Sequence, residues 1–296
     1  MDYPFYVNDF DRVKNHKVKF PTVGEIFKYP QSFWYGEKNG KGGCPDHLTK
    51  SLNRLLHRAD PHWPVLVCYN LPERDMGHYS KGGASSKDNY LEFVHTMAKC
   101  IGDRELILIL EPDAIPHSTL ISRNGRNKRL ALLKNAVDLI TSTCKARLYI
   151  DVGHSNWLSP EETAQLFSRV ANDKTAGFSV NVSNYRTTKE SMQWAKRVCE
   201  NLEDNFTFVI DTSRNGNGPY GNDWCNPPDR ALGIPPTCGT DEEKCDAFLW
   251  IKIPGESDGK CNGGPRAGRF WPEYAEDLVK NTEWICLLYT SPSPRD

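Results

Sequence analysis

Six short runs dominated by apolar residues punctuate the chain: Val65 to Tyr69, Leu106 to Leu110, Arg147 to Ile150, Gly177 to Val182, Phe206 to Ile210 and Ala247 to Ile253. They are apolar at successive positions, so they read as strands covered on both faces, as in a parallel sheet between layers. Between them, apolar residues recur with helical period in Tyr90 to Cys100, Arg129 to Thr143, Pro160 to Ala171 and Lys189 to Leu202. The units repeat at intervals of about 30 to 40 residues, the rhythm of βα units that close into a barrel or form a doubly wound sheet. Ser159-Pro160-Glu161-Glu162 supplies a cap, a proline at the first helical position and acids at the positive end of the dipole. No Pro/Gly/Ser linker divides the pattern, which predicts one domain over residues 1–285. After the amphipathic stretch Tyr274 to Asn281, residues 286–296 (CLLYTSPSPRD) have no period and are expected to be a tail foreign to the fold.

Composition narrows the partners. The 37 lysines and arginines nearly balance 38 aspartates and glutamates, which gives no long-range pull toward nucleic acid or an anionic membrane. A neutral partner and a monomeric chain are expected. No stretch reaches the roughly 18 apolar residues of a membrane span, and Met-Asp-Tyr-Pro-Phe lacks the regions of a signal peptide. Ten cysteines without a C-x-x-C pair point to disulfides in an oxidising compartment, hence to a secreted protein given as a mature domain or incomplete gene product. Of two sequons, Asn181-Val-Ser183 lies in a run that reads as buried strand, which leaves Asn205-Phe-Thr207 as the glycosylation candidate.

Aspartates follow the strands. Asp75 stands six residues after Tyr69, Asp113 closes Leu110-Glu-Pro-Asp113, and Asp151 closes Leu148-Tyr-Ile-Asp151. Asp211 closes Phe208-Val-Ile-Asp211, and Asp258 follows Ile253-Pro-Gly-Glu-Ser. In parallel α/β folds the carboxyl ends of the strands share one rim, so these residues are expected to converge as a ring of acids. One aspartate after a strand is ordinarily a turn or helix cap; five in succession strain that reading. Crowded carboxylates do not all ionise freely, so one stays protonated while others remain charged. That division supplies the acid and base that acetal hydrolysis requires. Pro112 biases Glu111 away from helical geometry and fixes how the chain leaves the strand. Trp34, Trp157 and Trp224 lie in polar surroundings near strand ends, where flat rings receive sugar faces, although a tryptophan is more often core. Tyr69 is placed to press on the sugar at the cleavage point. His154 reads as a hydrogen-bonding residue beside Asp151.

Competing motifs fail on context. Gly216-Asn-Gly218-Pro-Tyr-Gly221 matches G-x-G-x-x-G, but Asp-Trp-Cys-Asn-Pro-Pro follows where a dinucleotide site needs a helix. Gly255-Glu-Ser257-Asp-Gly259 matches a nucleophile elbow, yet His154 is the last histidine and the triad needs one later in the chain. Arg123 to Arg129 reads as a solvated basic loop before the helix from Arg129. No H-E-x-x-H or comparable spacing occurs, so neither metal nor cofactor is expected.

Eight stretches in order resemble glycoside hydrolase family 6, the inverting cellobiohydrolases and endoglucanases. They are Tyr-Pro-Gln-Ser-Phe-Trp34, Tyr69-Asn-Leu-Pro-Glu-Arg-Asp75, Leu110-Glu-Pro-Asp113, Asp151-Val-Gly-His154-Ser-Asn-Trp157-Leu, Asn181-Val-Ser-Asn184-Tyr, Asp211-Thr-Ser-Arg214-Asn-Gly, Trp224-Cys225-Asn, and Asp246-Ala-Phe-Leu-Trp-Ile-Lys252-Ile-Pro-Gly-Glu256-Ser-Asp258-Gly. The resemblance implies an α/β fold, a single distorted (β/α) barrel of parallel strands with an open active-site cleft. It implies hydrolysis of β-1,4-glucan with inversion, with Asp113 as general acid and Asp75 raising the acid's pKa and passing a proton from water. Asp258 is the candidate base; whether Asp75, Asp258 or a chain of waters takes the proton stays open. Asp151, Tyr69, Trp34, Trp157, Trp224, Lys252 and Glu256 match positions that bind or distort sugar, and His154, Asn184 and Ser80 complete the substrate-binding candidates.

Departures from the family pattern bear on details. Met76 stands where most members have cysteine, and its usual partner after the acid strand is absent too. The second family disulfide is implied as Cys225 with Cys261, and Cys238 with Cys245 is a candidate local bridge. Pro160 stands where tunnel-forming members often carry a tryptophan. Only nine residues separate Asp258 from Gly268, which leaves little chain to roof the cleft, so internal cutting is expected. Exo action, an inactive glucan-binding barrel, or a glycosidase for xylan or mixed-linkage glucan are the alternatives.

Overall fold

The computed structural model describes residues 5–8, 20–36 and 45–285, so the tail expected from residue 286 lies outside the described residues. Seven parallel strands follow one another in a single sheet: β1 (Phe33–Tyr35), β2 (Val65–Cys68), β3 (Ile107–Leu110), β4 (Arg147–Asp151), β5 (Gly177–Val180), β6 (Thr207–Asp211) and β7 (Cys245–Leu249). Helices α1 (Pro45–Ala59), α2 (Lys87–Ile101), α3 (Ala114–His117), α4 (Arg123–Thr143), α5 (Pro160–Ser168), α6 (Thr188–Glu200) and α7 (Pro272–Lys280) accompany them.

The apolar runs divide between two cores because successive side chains in a strand face opposite ways. Ile107 and Ile109 join Val65, Val67, Tyr149, Val209 and Leu249 on one face of the curled sheet. Leu108 and Leu110 join Leu66, Leu148, Ile150 and Phe178 on the other, beneath the helices. Across the seam between β1 and β7, Ser32 N donates to Trp250 O at 3.2 Å and Trp34 Nε1 to Ile251 O at 2.8 Å. The barrel is therefore distorted, with side chains and loop backbone stitching the gap that an eighth strand would fill.

Strand ends differ from the apolar runs where the backbone turns toward the rim. β5 stops at Val180 because Asn181 takes φ 69° and its Nδ2 donates to Asp211 O at 2.8 Å. Asn181 is buried and spent in this contact, whereas Asn205 is exposed, as the sequon reading anticipates. α4 begins at Arg123 rather than Arg129, which corrects the expected basic loop. Ser122 Oγ caps Gly125 N at 3.2 Å, and Arg126 and Arg129 fold back onto the carbonyls of Ser118 and Ala114. β1 and α1 carry no counterpart among the predicted elements.

Cys225 and Cys261 are joined. Cys245 is a buried thiol whose Sγ donates to Ala247 O, so the expected bridge to Cys238 does not form. Cys68, Cys100, Cys144 and Cys199 are also thiols. No helix of the described residues is long and apolar enough to cross a membrane.

Candidate active site

The carboxyl ends of the strands surround a cleft of about 730 Å³. It gathers Asp75, Asp113 and Asp258, Trp34, Trp157 and Trp224, Tyr69, Ser80, His154, Asn184, Lys252 and Glu256. Asp151 lies fully buried beneath. Left-handed backbone concentrates at these strand ends: φ is 55° at Glu73, 60° at Asp75, 49° at Glu111, 68° at Asp113 and 58° at Ser183. Such conformations are strained for residues with a Cβ and persist where surrounding contacts hold them.

Just after β3, Glu111 is buried and accepts from Asn70 N at 2.9 Å and Leu71 N at 3.0 Å, tying the exit of β3 to that of β2. Asp151 Oδ1 accepts from Asp113 N at 2.8 Å and from Gly153 N at 3.0 Å, and Ser179 Oγ donates to Oδ2 at 3.0 Å. Asp113 thus leaves its strand in a fixed direction, with its carboxyl facing the cleft. Burial, then the charges of Asp151 and Asp75, raise the Asp113 pKa well above the usual carboxylate range. Burial likewise raises Asp151 to about 7.

Asp258 has the opposite environment. Arg214 Nη1, itself fully buried, donates to Asp258 Oδ2 at 2.9 Å; Tyr185 OH and Asn226 N add bonds at 3.2 and 3.1 Å. Lys252 Nζ stands 3.4 Å from Oδ1. Burial opposes ionisation, but Arg214 and then Lys252 overcome it and hold the pKa below the usual value. Asp75 is partly open to the cleft and accepts from Ser80 N at 2.6 Å; burial raises its pKa.

Asp211, like Asp151, does not join the expected ring at the cleft. Its oxygens accept from Ser183 N, Ser213 N, Ile251 N and Lys252 N, so it organises three strand ends from below. His154 is also corrected: its Nδ1 accepts from Asn156 N at 3.3 Å, with no bond to Asp151, and its ring centroid lies 5.3 Å from that of Trp157. His117 packs edge-on against Trp157 at 5.0 Å. Asn184 Oδ1 accepts from Tyr185 N. Trp34 and Tyr69 meet edge-on at 5.4 Å, and Arg74 stacks 4.8 Å over Tyr69.

Arg214, Tyr185, Glu111, Arg74 and His117 carry no role in the sequence reading. Arg214 and Glu111 left a trace, a charged residue within a few positions of a strand end, but only the fold shows what each one holds. Among the described residues, no group of three or more His, Cys, Asp or Glu side chains is arranged to hold a metal ion.

Residues 8–282 match the model for glycosyl hydrolases family 6. The chain belongs to that family. Endoglucanase A of Cellulomonas fimi is 40% identical over 255 residues, which cover 86% of this chain and 55% of that protein. Endoglucanase 1 of Streptomyces sp. (strain KSM-9) is 38% identical, over 88% of this chain and 72% of its own length. The chain thus spans little more than half of the first of these family 6 relatives. A solved family 6 structure, the endoglucanase Cel6 from Mycobacterium tuberculosis with methyl-cellobiosyl-4-deoxy-4-thio-β-D-cellobioside, superposes with a TM-score of 0.87 at 37% identity. That match covers 94% of this chain and 97% of the other.

Proposed function

We propose that this family 6 chain hydrolyses internal β-1,4-glucosidic bonds of cellulose or related β-glucans with inversion of anomeric configuration. The observation that carries the reading is the split among the cleft carboxyls. Asp113 keeps its proton at pH values where an ordinary aspartate has lost it, while Asp258 is held as an anion. Relatives named endoglucanases and the cello-oligosaccharide analogue in the Mycobacterium structure support a glucan substrate.

In this mechanism Asp113 protonates the departing glycosidic oxygen while water attacks the anomeric carbon from the opposite face. Asp258 is a poor acceptor for the proton of that water, since Arg214 and Lys252 already stabilise its charge. Asp75, open to the cleft and with its proton affinity raised, is the better acceptor, directly or through a second water. Trp34, Trp157, Trp224 and Tyr69 offer ring faces and edges to the sugars, and Lys252, Glu256, Asn184, His154 and Ser80 are their polar partners. The catalytic unit is proposed as one secreted, monomeric domain over residues 1–285, the Cys225–Cys261 bridge favouring an oxidising compartment.

NMR of products from soluble cello-oligosaccharides tests substrate, bond and stereochemistry together: the α-anomer is expected first, and an initial β-anomer would refute inversion. Asp113→Asn is expected to lower the rate by about 10²- to 10⁴-fold. Exo action is favoured by one contact, the Tyr79 ring against Gly259, which joins the loops after β2 and β7. Viscometry separates the two modes. For internal cutting, the viscosity of carboxymethylcellulose falls well before reducing ends accumulate; proportional change would indicate exo action.

A further inference from the structure

A second hollow, of about 470 Å³, adjoins the cleft and shares His78, Tyr79, Lys81 and Ala267 with it. Among the described residues its charged lining is Lys81, Lys260 and Arg266, with no carboxylate. All three are exposed, and none forms an ion pair or side-chain hydrogen bond among the described residues. In a chain of net charge -1, this is a local concentration of one sign.

The cations come from two loops that the fold holds together. Lys81 lies after β2, while Lys260 and Arg266 lie after β7. The Tyr79 ring rests on Gly259, where any Cβ would overlap it, and Cys261 next to Lys260 is anchored to Cys225. Asp258 and Asp75, on the same two loops, are engaged elsewhere: Asp258 is paired with Arg214 and Lys252, and Asp75 accepts from Ser80 N. A neutral glucan accepts hydrogen bonds from such groups but leaves the charge of these three cations, unpaired among the described residues, uncompensated.

We propose that this hollow receives carboxylate groups carried on the polysaccharide as it leaves the cleft, so that acid-substituted β-1,4-glucan is a preferred substrate. The inference rests on the glucanase reading and extends it to a substrate class. Ammonium and guanidinium groups pair with carboxylates, each exposed pair adding little, so the three together should change KM by about three- to tenfold.

The test compares carboxymethylcellulose with the neutral hydroxyethylcellulose at ionic strengths of about 0.01 M and about 0.15 M, between which the Debye length falls from about 30 to about 8 Å. The parent should show a KM for the carboxymethyl polymer that rises with salt and a KM for the neutral one that does not. Combined Lys260→Ser and Arg266→Ser, which lie outside the cleft, should raise KM about two- to fivefold on the charged polymer at low salt, leaving the neutral substrate unaffected. Lys260→Arg and Arg266→Lys together should retain the parental KM. An unchanged KM in the serine variant, an equal rise on both polymers, or the same loss in the charge-keeping variant would overturn the proposal. A parent that releases no sugar from either polymer would overturn the glucanase reading beneath it.

Discussion

Single side chains here differ less in identity than in surroundings. Asp75 and Asp258 are chemically alike, yet one faces the cleft and the other is locked against a buried guanidinium. Asp258→Asn should therefore lower stability by about 3–5 kcal/mol through the unpaired Arg214 charge, and activity with it. Asp75→Asn should slow hydrolysis while leaving the urea midpoint near that of the parent. Equal loss of stability in both variants would contradict this division. The titrating residues also set the pH response. Burial lowers His117 and His154 from 6.5 to about 4, so their contribution to stability is present above pH 6.5 and is lost as pH falls toward 4. Asp151, raised to about 7, acts in the opposite sense: its contribution is complete below the ordinary aspartate value and is lost as pH rises through 7. Thermal melts between pH 7 and 4.5 should show a shallower acid loss for His117→Asn with His154→Asn, and a steeper one for Asp151→Asn.

At the scale of elements, the interior strands were legible because a strand covered on both faces must be apolar at successive positions, as Leu106 to Leu110 is. α1 was equally available: Leu48, Leu52, Leu55, Leu56 and Ala59 are buried along one helical face. β1 was not, since three residues, Phe33–Tyr35, are too few to show a period and acquire strand character by pairing with β2. The α4 start is not legible in the sequence because Arg126 and Arg129 look solvent-directed there, whereas the fold offers them carbonyls. Two substitutions test the element boundaries. Ser159→Ala should destabilise the chain by about 1 kcal/mol through loss of the α5 cap, with kcat unchanged. Gly177→Ala should be worse, about 1–3 kcal/mol, because a Cβ there would overlap the Thr207 carbonyl on the neighbouring strand. Urea denaturation measures both.

For the whole molecule, the Cys225–Cys261 bridge spans a sequence separation of 36 and closes the loop that frames Asp258, where Asn226 bonds Asp258 in both directions. Replacing both cysteines by serine should lower stability by about 2–4 kcal/mol and reduce activity as the Asp258 loop loosens. Unaltered melting would show that the surrounding hydrogen bonds suffice. By itself, the order of apolar runs and trailing aspartates determined a parallel α/β chain with acids at one rim, because strand period and strand direction are local properties. The family resemblance added the expectation that Asp113 is the acid. Tertiary structure alone decided which carboxyls share the cleft, removing Asp211 to a scaffold below it, and which of them stays charged, through Arg214. Those outcomes depend on distance and burial between segments far apart in the chain, and a proton's free energy on a carboxyl is set by the charges and solvent around it, not by the residues beside it in sequence.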